Sequence, residues 1–301
     1  MKKVMYYTYD AGAISNKAML RNIFHWECSD SCACLPPIVN KEEFAVTMHQ
    51  SYKSSDMQTW HVGWKFHHQT WLDLHPDWYF IFWTDDQNEL LAKCIGYHDI
   101  FNQRSSIQKA DLSRLMYLHK YGGFYADMDY IAVQNHASIF QSRDFTLKQQ
   151  QILFQGRQDQ VAGLEWGFAR QPEHPFWKFC LDIANRQDDE ERAGCPIKVT
   201  GPKLIRKCVK KYFRLHKKDL EHMVSYGGEL MILEPRLISP IGAFDFSSEC
   251  GKWRNITGIE QNERKVWSDM WMKSKCKENL IKNGTYAVTI YSHSWGTGLG
   301  C

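Results

Sequence analysis

The sequence has no apolar run long enough to cross a membrane, which takes about 20 residues. Its start, Met1–Asp10, contains no apolar core of the length found in signal peptides. Paired Cys-x-x-Cys motifs are also missing, so the ten cysteines do not follow the ligand spacing of a structural zinc site. No internal repeat, low-complexity tract or clear linker is present, and this favours one globular domain with extensions.

A strong excess of charge is missing too. The formal net charge of +3 is too small for a dedicated nucleic-acid binder, so we expect no nucleic-acid partner. One segment departs from this balance, because it places basic residues at helical spacing opposite an apolar stripe. Such a face is either solvated or in peripheral contact with anionic lipid headgroups. Its basic residues are Lys203, Arg206, Lys207, Lys210, Lys211 and Arg214. The oligomeric state is not legible from the sequence.

The cellular compartment stays open at this stage. The ten cysteines fit either disulfides in a secretory compartment or scattered buried thiols. Two N-glycosylation sequons, at Asn255 and Asn283, favour the secretory lumen. The absence of an apolar leader at the N-terminus favours the cytoplasm instead.

The order of the elements predicts an α/β fold with a mostly parallel central sheet flanked by helices. Residues 1–43 read as an irregular N-terminal extension or lid. A single domain is expected over 44–301, with a motif-bearing core at 44–135 and the remainder at 136–301. The predicted sequence of elements is a strand at 44–48, a helix at 60–72, a strand at 78–83, a helix at 105–121 and an acidic strand end. Polar residues follow the strands, where ligands bind in parallel sheets.

The acidic strand end is the segment Tyr121–Tyr130, in which Asp127 and Asp129 stand one residue apart. If the segment is extended, Tyr125, Asp127 and Asp129 project from one face of the strand. Two carboxylates so placed can hold a hard divalent cation, which commonly shares its coordination with substrate phosphates. The alternative is a solvated acidic turn.

The helix before this segment carries a second pair of functional residues. Ser105 or Ser106 can cap its start, and Gly122 suits its end. Asp111 and Arg114 lie three residues apart and are therefore neighbours on the helix surface. They either form part of a ligand pocket or make a surface ion pair of little consequence.

Five motifs occur in an order that resembles the glycosyltransferases with a DXD sugar-binding region. This family includes initiating mannosyltransferases of the fungal Golgi, inositolphosphoceramide mannosyltransferases and bacterial glycan enzymes. The resemblance is strong over 44–135 and looser to 216. The motifs are His49–Lys53, Leu74–Trp78, Phe82–Asp86, Ala110–Arg114 and Tyr121–Asp129.

The resemblance implies a GT-A type fold and transfer of a hexose from a nucleotide diphosphate sugar, such as GDP-mannose or a UDP-hexose. The acceptor would be a hydroxyl of a glycan or glycolipid. Mn²⁺ or Mg²⁺ is the implied cofactor, because a divalent cation stabilises the charge that builds on the departing diphosphate. Retention of the anomeric configuration is implied as well, by front-face transfer with the leaving phosphate as base.

The resemblance also assigns roles to individual residues. Asp129, Asp127 and His293 are implied as metal ligands, and Asp127 also as a contact of the donor. Hydroxyls of the donor sugar are assigned to Asp111 and Arg114, with Tyr125 beside them. Contacts with the nucleotide or its phosphates are assigned to His49, Gln50 and Trp295.

Glu165 marks a departure from the family, since related sequences often carry an Asn there. It is the candidate residue for orienting the acceptor hydroxyl and is assigned with Asp127 and Asp129 to catalysis. The departure also leaves two alternatives open. One is a nucleotide-sugar or metal-binding protein without transfer activity, and the other is a glycan-binding module that uses the many aromatic residues.

Overall fold

The structure is a computed structural model of the 301-residue chain. It describes residues 5–6, 23–25, 31–38, 46–60, 62–137, 139, 151–154, 164–188, 193–214, 230–233, 237–238, 271 and 273–289.

The strands among these residues are β1 (Met5–Tyr6), β2 (Ile23–His25), β3 (Thr47–Ser51), β4 (Tyr79–Trp83), β5 (Gly123–Ala126), β6 (Tyr130–Ala132), β7 (Gln151–Phe154), β8 (Trp166–Ala169), β9 (Leu230–Leu233) and β10 (Ala287–Thr289). The α-helices are α1 (Val62–Leu74), α2 (Asp85–Cys94), α3 (His98–Asn102), α4 (Ser106–Lys120), α5 (Pro175–Asn185), α6 (Pro196–Val199), α7 (Pro202–Tyr212) and α8 (Lys275–Lys282). Short 3-10 helices span Cys32–Cys34 and Met57–Thr59.

The chain divides into two compact units that alternate along the sequence. The first unit consists of Met1–Ser55, Pro76–Ala126 and Leu164–Cys208, and the second consists of Asp56–His75, Asp127–Gly163 and Val209–Cys301. This division differs from the single domain expected over 44–301, whose boundaries stay a prediction.

A mostly parallel sheet forms the centre of the first unit. Its strand order is β1-β2-β4-β3-β5-β8. The neighbours β2, β4, β3 and β5 run parallel, whereas β1 and β8 pair antiparallel at the two sides. Within β4, Phe80, Ile81 and Phe82 are each at most 4% exposed, as expected for an apolar run buried on both faces. The predicted α/β class with a mostly parallel sheet is confirmed.

Helix α4 begins and ends close to the residues that the sequence predicted. Ser105 is the N-cap and forms a capping box with Gln108, because each side chain meets the backbone N–H of the other residue. The apolar stripe is buried, with Leu112, Leu115 and Met116 at most 2% exposed.

Two glycines form the corner between α4 and β5. Gly122 and Gly123 both have positive φ angles, of 64° and 81°. A Cβ atom on Gly123 would lie 2.2 Å from the backbone oxygen of Thr47 in β3, which no side chain can tolerate. Glycine is therefore required where β5 begins, both by its backbone conformation and by the closeness of the neighbouring strand.

The second unit contains two strand pairs and helices α1 and α8. Strands β6 and β10 pair antiparallel, with Ile131 opposite Val288, and β7 pairs parallel with β9. Helix α1 packs against β6, and Trp71 of α1 is fully buried.

Two expectations about the N-terminal part were wrong. Residues 1–43 were expected to be irregular, but they contribute β1 and β2, and β2 joins the central sheet beside β4. The first strand of the motif-bearing core was expected at 44–48, whereas β3 spans Thr47–Ser51.

Disulfides and buried thiols both occur among the described cysteines. Cys32 is bonded to Cys94, which ties the 3-10 helix Cys32–Cys34 to the end of α2. Cys34, Cys195 and Cys276 are also disulfide-bonded. Cys180 and Cys208 are buried free thiols. Of the two sequon asparagines, Asn283 is exposed at the end of α8, and Asn255 lies outside the described residues.

None of the helices in the described part of the chain combines the length and the apolar character needed to cross a membrane.

A buried histidine pair in the second unit is held in its neutral form. His75 donates from Nδ1 to the backbone oxygen of Trp71 at 2.9 Å, and its Nε2 accepts from the backbone N–H of His136 at 3.0 Å. Burial lowers the pKa of His75 to about 4. Burial also holds the pKa of His136 well below its usual value, and His75 lowers it further. Protonation of His75 would place a proton where Nε2 now accepts one.

This pair predicts a loss of stability in mild acid. An unfolded histidine takes up a proton below about pH 6.5, but folded His75 does not do so until about pH 4. The free energy of unfolding should therefore fall as the pH drops through this window, with His75 accounting for about 3 kcal/mol at most. Urea unfolding at a series of pH values measures this. The control His98→Gln, at a side chain that is 41% exposed, should leave the slope unchanged. A free energy of unfolding that stays constant from pH 7 to 5 would contradict the prediction.

Candidate functional site

The carboxyl ends of three parallel strands meet at one edge of the sheet in the first unit. The register aligns Ser51 of β3 with Trp83 of β4, and His49 of β3 with Tyr125 of β5. Ligands of open α/β sheets bind beyond this edge. The sequence predicted polar residues at the carboxyl ends of the strands. Because β3, β4 and β5 run parallel, these ends lie at the same edge of the sheet.

Asp111, Arg114 and Thr200 form a cluster beside this sheet, which we call the Asp111 cluster. Thr200 donates a hydrogen bond from Oγ1 to Oδ2 of Asp111 at 2.8 Å. Arg114 approaches Oδ1 of the same carboxylate with Nη1 at 3.3 Å. The guanidinium carbon of Arg114 also lies 5.4 Å from the ring centroid of Tyr125, within range of a cation–π contact. Each oxygen of Asp111 therefore has one partner within the first unit.

The Asp111 cluster is not a surface ion pair. The side chains of Arg114 and Asp111 are 16% and 11% exposed. Burial raises the pKa of Asp111, while the Arg114 guanidinium and the Thr200 hydroxyl act in the opposite direction. A carboxylate can accept about four hydrogen bonds, so Asp111 keeps capacity for hydroxyl donors of a ligand. A buried carboxylate with this capacity is suited to binding a polyol.

Thr200 is the residue of this cluster whose role sequence reasoning missed. The segment Thr200-Gly201-Pro202 has the pattern of a helix start, because Pro is common in the first turn. Thr200 is 2% exposed and follows the short helix α6, 89 positions from Asp111. A contact so distant in sequence cannot be read from residue spacing.

His49, for which a nucleotide contact is predicted, lies inside the protein, and that contact stays a prediction. His49 is completely buried and donates from Nε2 to the backbone oxygen of Gly122 at 3.0 Å, while Nδ1 accepts from the indole N–H of Trp83 at 3.2 Å. Burial lowers the pKa of His49 to about 3. Both ring nitrogens are thus engaged inside the protein, and His49 supports the glycine corner. Gln50 is 2% exposed, and its nucleotide contact stays a prediction.

Tyr125 is 3% exposed, and its ring lies against Arg114 and 5.9 Å from the ring of Tyr117. Its assignment to sugar binding stays a prediction.

The two carboxylates of the Asp-Met-Asp motif belong to the second unit and lie in a turn, which we call the DXD turn (Asp127–Tyr130). Strand β5 ends at Ala126, and the backbone N–H of Tyr130 donates to the oxygen of Asp127 at 3.0 Å. The expectation that Tyr125, Asp127 and Asp129 share one strand face is therefore wrong, because the chain turns after Ala126. Asp127 and Asp129 are half-buried, whereas Met128 between them is 6% exposed.

Helix α1 holds the DXD turn and β6 through three side chains on one helical face. His67 donates from Nδ1 to the backbone oxygen of Met128 at 3.0 Å, and Trp71 donates from its indole to the backbone oxygen of Tyr130 at 2.9 Å. Thr70 accepts from the backbone N–H of Ala132 at 2.9 Å. The spacing i, i+3, i+4 places these donors and acceptors side by side. The backbone of the turn is thus fixed from α1, and sequence spacing offered no sign of it.

The DXD turn fits a divalent cation by the chemistry of its donors. Carboxylate oxygens are the ligands that Mg²⁺ and Mn²⁺ prefer, and sites for substrate-bound Mg²⁺ commonly supply only one or two of them. Within the described ranges, no group of three or more His, Cys, Asp or Glu side chains is placed to hold a metal alone. Phosphate oxygens and water are further ligands expected at such a site, and His293, the third ligand that the resemblance implies, lies outside the described residues.

The remaining predicted site residues are Glu165, His293 and Trp295. Glu165 is half-buried and directly precedes Trp166 of β8, which pairs with Ala126, the last residue of β5. Glu165 thus stands at the carboxyl end of β5 in the first unit. His293 and Trp295 lie outside the described residues, so their assignments stay predictions.

A comparison with protein families identifies the segment that contains α4 and the DXD turn. Residues 61–146 match the family described as glycosyltransferase sugar-binding region containing DXD motif. The resemblance stated from the sequence motifs is confirmed over this segment, which contains Asp111, Arg114, Asp127 and Asp129.

Curated relatives match part of the chain. A mannosyl phosphorylinositol ceramide synthase of Saccharomyces cerevisiae is 31% identical over 130 residues, which cover 42% of this chain and 32% of the relative. An inositol phosphoceramide mannosyltransferase of Schizosaccharomyces pombe is 33% identical over 87 residues, which cover 27% of this chain and 24% of the relative. The match thus spans about a third or less of these relatives' own length.

Two solved glycosyltransferases are similar in structure. The PaToxG glycosyltransferase has a TM-score of 0.42 at 14% identity, covering 57% of this chain and 70% of its own. A glycosyltransferase involved in the glycosylation of the major capsid of PBCV-1 has a TM-score of 0.35 at 10% identity, covering 75% and 99%.

The Asp111 cluster predicts that Thr200 contributes to stability through its hydroxyl. Thr200→Val keeps the shape of the side chain but removes the donor to a buried carboxylate, which should lower the free energy of unfolding by about 1–3 kcal/mol. Thr200→Ser should restore most of the loss. Urea unfolding at pH 7 measures the difference. Thr59→Val, which removes an exposed hydroxyl bonded to the Asp56 backbone oxygen, is the matched control. A Thr200→Val variant as stable as the wild type would refute this role.

Proposed function

We propose that this chain is a retaining, metal-dependent glycosyltransferase that moves a hexose from a nucleotide diphosphate sugar to a hydroxyl of a glycan or glycolipid. The observation that carries the proposal is the DXD turn within the matched segment 61–146, with its backbone held by α1 and its two carboxylates half-buried. GDP-mannose is the first donor to test, because the curated relatives are named as mannosyltransferases or mannosyl synthases. A UDP-hexose is the alternative donor.

Asp129 and Asp127 would hold Mn²⁺ or Mg²⁺ together with the diphosphate of the donor. The bound cation would supply electrostatic stabilisation of the leaving diphosphate. The hydrogen bonds from His67 and Trp71 keep the backbone of the DXD turn in place, so the carboxylates need not reorganise when the donor binds. His293 is the further ligand that the resemblance implies.

The Asp111 cluster would orient the donor sugar. Asp111 accepts from sugar hydroxyls and Arg114 donates to them, and charge-assisted hydrogen bonds of this kind are stronger than neutral ones. Thr200 and Tyr125 hold these two side chains in position. A sugar held in one orientation presents its anomeric carbon to the acceptor, which lowers the entropic part of the barrier.

Glu165 is the proposed residue for the acceptor hydroxyl. It is half-buried beside β8, and a carboxylate there can accept a hydrogen bond from the attacking hydroxyl. Transfer would proceed on the front face, with the departing phosphate oxygen taking the proton. The proposed acceptor class, a glycolipid, follows the ceramide lipids in the names of the relatives.

The disulfides of the described cysteines favour an oxidising compartment such as the secretory lumen for this reaction, because disulfides are rare in the cytosol.

The direct test is a panel of GDP- and UDP-hexoses incubated with the full chain, with Mn²⁺ or with a chelator, with and without lipid acceptors. We expect one donor to release its nucleotide only when the metal is present. Asp129→Asn changes one atom of the side chain and should reduce this release at least about 100-fold, since a metal supplies several kcal/mol of stabilisation. Asp99→Asn, at a side chain that is fully exposed, should have no effect.

The outcomes separate the competing functions. Metal-dependent nucleotide binding without turnover of any donor would favour a binding protein without transfer activity. Glycan binding that a chelator leaves unchanged would favour a glycan-binding module. Metal-dependent release that persists in Asp129→Asn would contradict the proposed role of the DXD turn.

A further inference from the structure

Helix α7 carries a continuous basic face. Its basic residues recur at intervals of three and four, which places them on one side of the helix. Lys203, Lys207, Lys210 and Lys211 are exposed, and Arg206 is half-buried. Arg214, two residues beyond the end of α7, is exposed as well. We call these six residues the α7 basic face.

The opposite side of α7 is fixed in the protein core. Leu204, Ile205, Cys208 and Val209 are each at most 1% exposed. The apolar stripe of this amphipathic helix is therefore already buried, and a partner can reach only the charged side. Binding at this face would be electrostatic and would not involve insertion of the helix into an apolar phase.

The charge of α7 is unlike that of the rest of the chain. The six residues of the basic face carry a charge of +6, so the remaining 31 basic and 34 acidic residues sum to −3. No Asp or Glu occurs within 202–214. Lys203, Lys207, Lys210 and Lys211 form no ion pair with any residue that the structure describes. Six like charges repel one another, and an anionic partner would relieve this repulsion.

Charge complementarity selects an anionic surface as the partner, and the overall charge argues against nucleic acid. A nucleic-acid binder is usually strongly basic over a whole domain, whereas the formal net charge of this chain is only +3. Lysine side chains can extend along their aliphatic stems to place their charge at a lipid headgroup layer. Clusters of four to eight Lys or Arg residues on one helix are typical of proteins that bind anionic lipids.

We propose that the α7 basic face docks this protein onto membranes that present anionic phospholipid headgroups. The contact rests on the charges of the face, and it would concentrate the protein at a surface where lipid-linked acceptors are found. It deepens the proposed function on the acceptor side, but it does not require that transfer occurs.

The test is co-sedimentation of the full chain with vesicles, which needs no donor or turnover. Vesicles of phosphatidylcholine alone are compared with vesicles of phosphatidylcholine and phosphatidylinositol. We expect binding to the second kind only, and at least a tenfold loss of binding between about 0.1 M and 1 M salt, over which the Debye length falls from about 10 Å to 3 Å. The variant Lys207→Glu/Lys210→Glu/Lys211→Glu should lose binding at least tenfold.

The matched control is Lys93→Glu/Lys273→Glu/Lys275→Glu, which changes three exposed lysines elsewhere. Both triple variants lower the formal net charge by six, from +3 to −3, so only the position of the charges differs. Circular dichroism of both triple variants is the check that they are folded. Equal binding to the two kinds of vesicle, or an equal loss in both variants, would overturn the proposal. Binding to a duplex RNA without binding to anionic vesicles would assign the face to a nucleic-acid partner instead.

Discussion

The close approach of Gly123 to β3 is the constraint on which the first unit depends. With a positive φ and no room for a Cβ atom beside the Thr47 oxygen, Gly123 lets β5 enter the sheet directly after α4. His49 holds the same corner by its hydrogen bond to Gly122, and its burial keeps the imidazole neutral. The corner thus sets α4, with Asp111 and Arg114, against a strand that leads into the Asp-Met-Asp motif.

Residues distant in sequence support both Asp111 and the backbone of the DXD turn. Thr200 and Arg114 each engage one oxygen of Asp111, which keeps a buried carboxylate satisfied while it can still accept further hydrogen bonds. In the second unit, His67 and Trp71 bind backbone oxygens of the DXD turn rather than its carboxylates. The turn is therefore rigid in its backbone, while Asp127 and Asp129 remain half-buried. Preorganisation of this kind is what electrostatic catalysis requires.

Local patterns predicted helix α4, its Ser105 cap and the Asp111–Arg114 pair, because capping and i, i+3 contacts depend on neighbours in sequence. The buried strand β4 was predicted for the same reason. The contact of Thr200 with Asp111 and that of His67 with Met128 span 89 and 61 positions, and no local pattern encodes them. The burial of His49 could not be predicted, because a polar residue near a strand end has the same pattern whether it faces a ligand or a buried carbonyl. The turn after Ala126 was missed because strand alternation was extended past the last paired residue.

The proposed function depends on the DXD turn binding a divalent cation for a sugar nucleotide. A crystal structure of the full chain with Mn²⁺ and GDP tests this most directly, using anomalous scattering at the manganese absorption edge. We expect an anomalous peak within coordination distance of a carboxylate oxygen of Asp129, with the diphosphate on the same ion. Bound nucleotide with no peak at Asp127 or Asp129, or a manganese ion held by other residues, would contradict it.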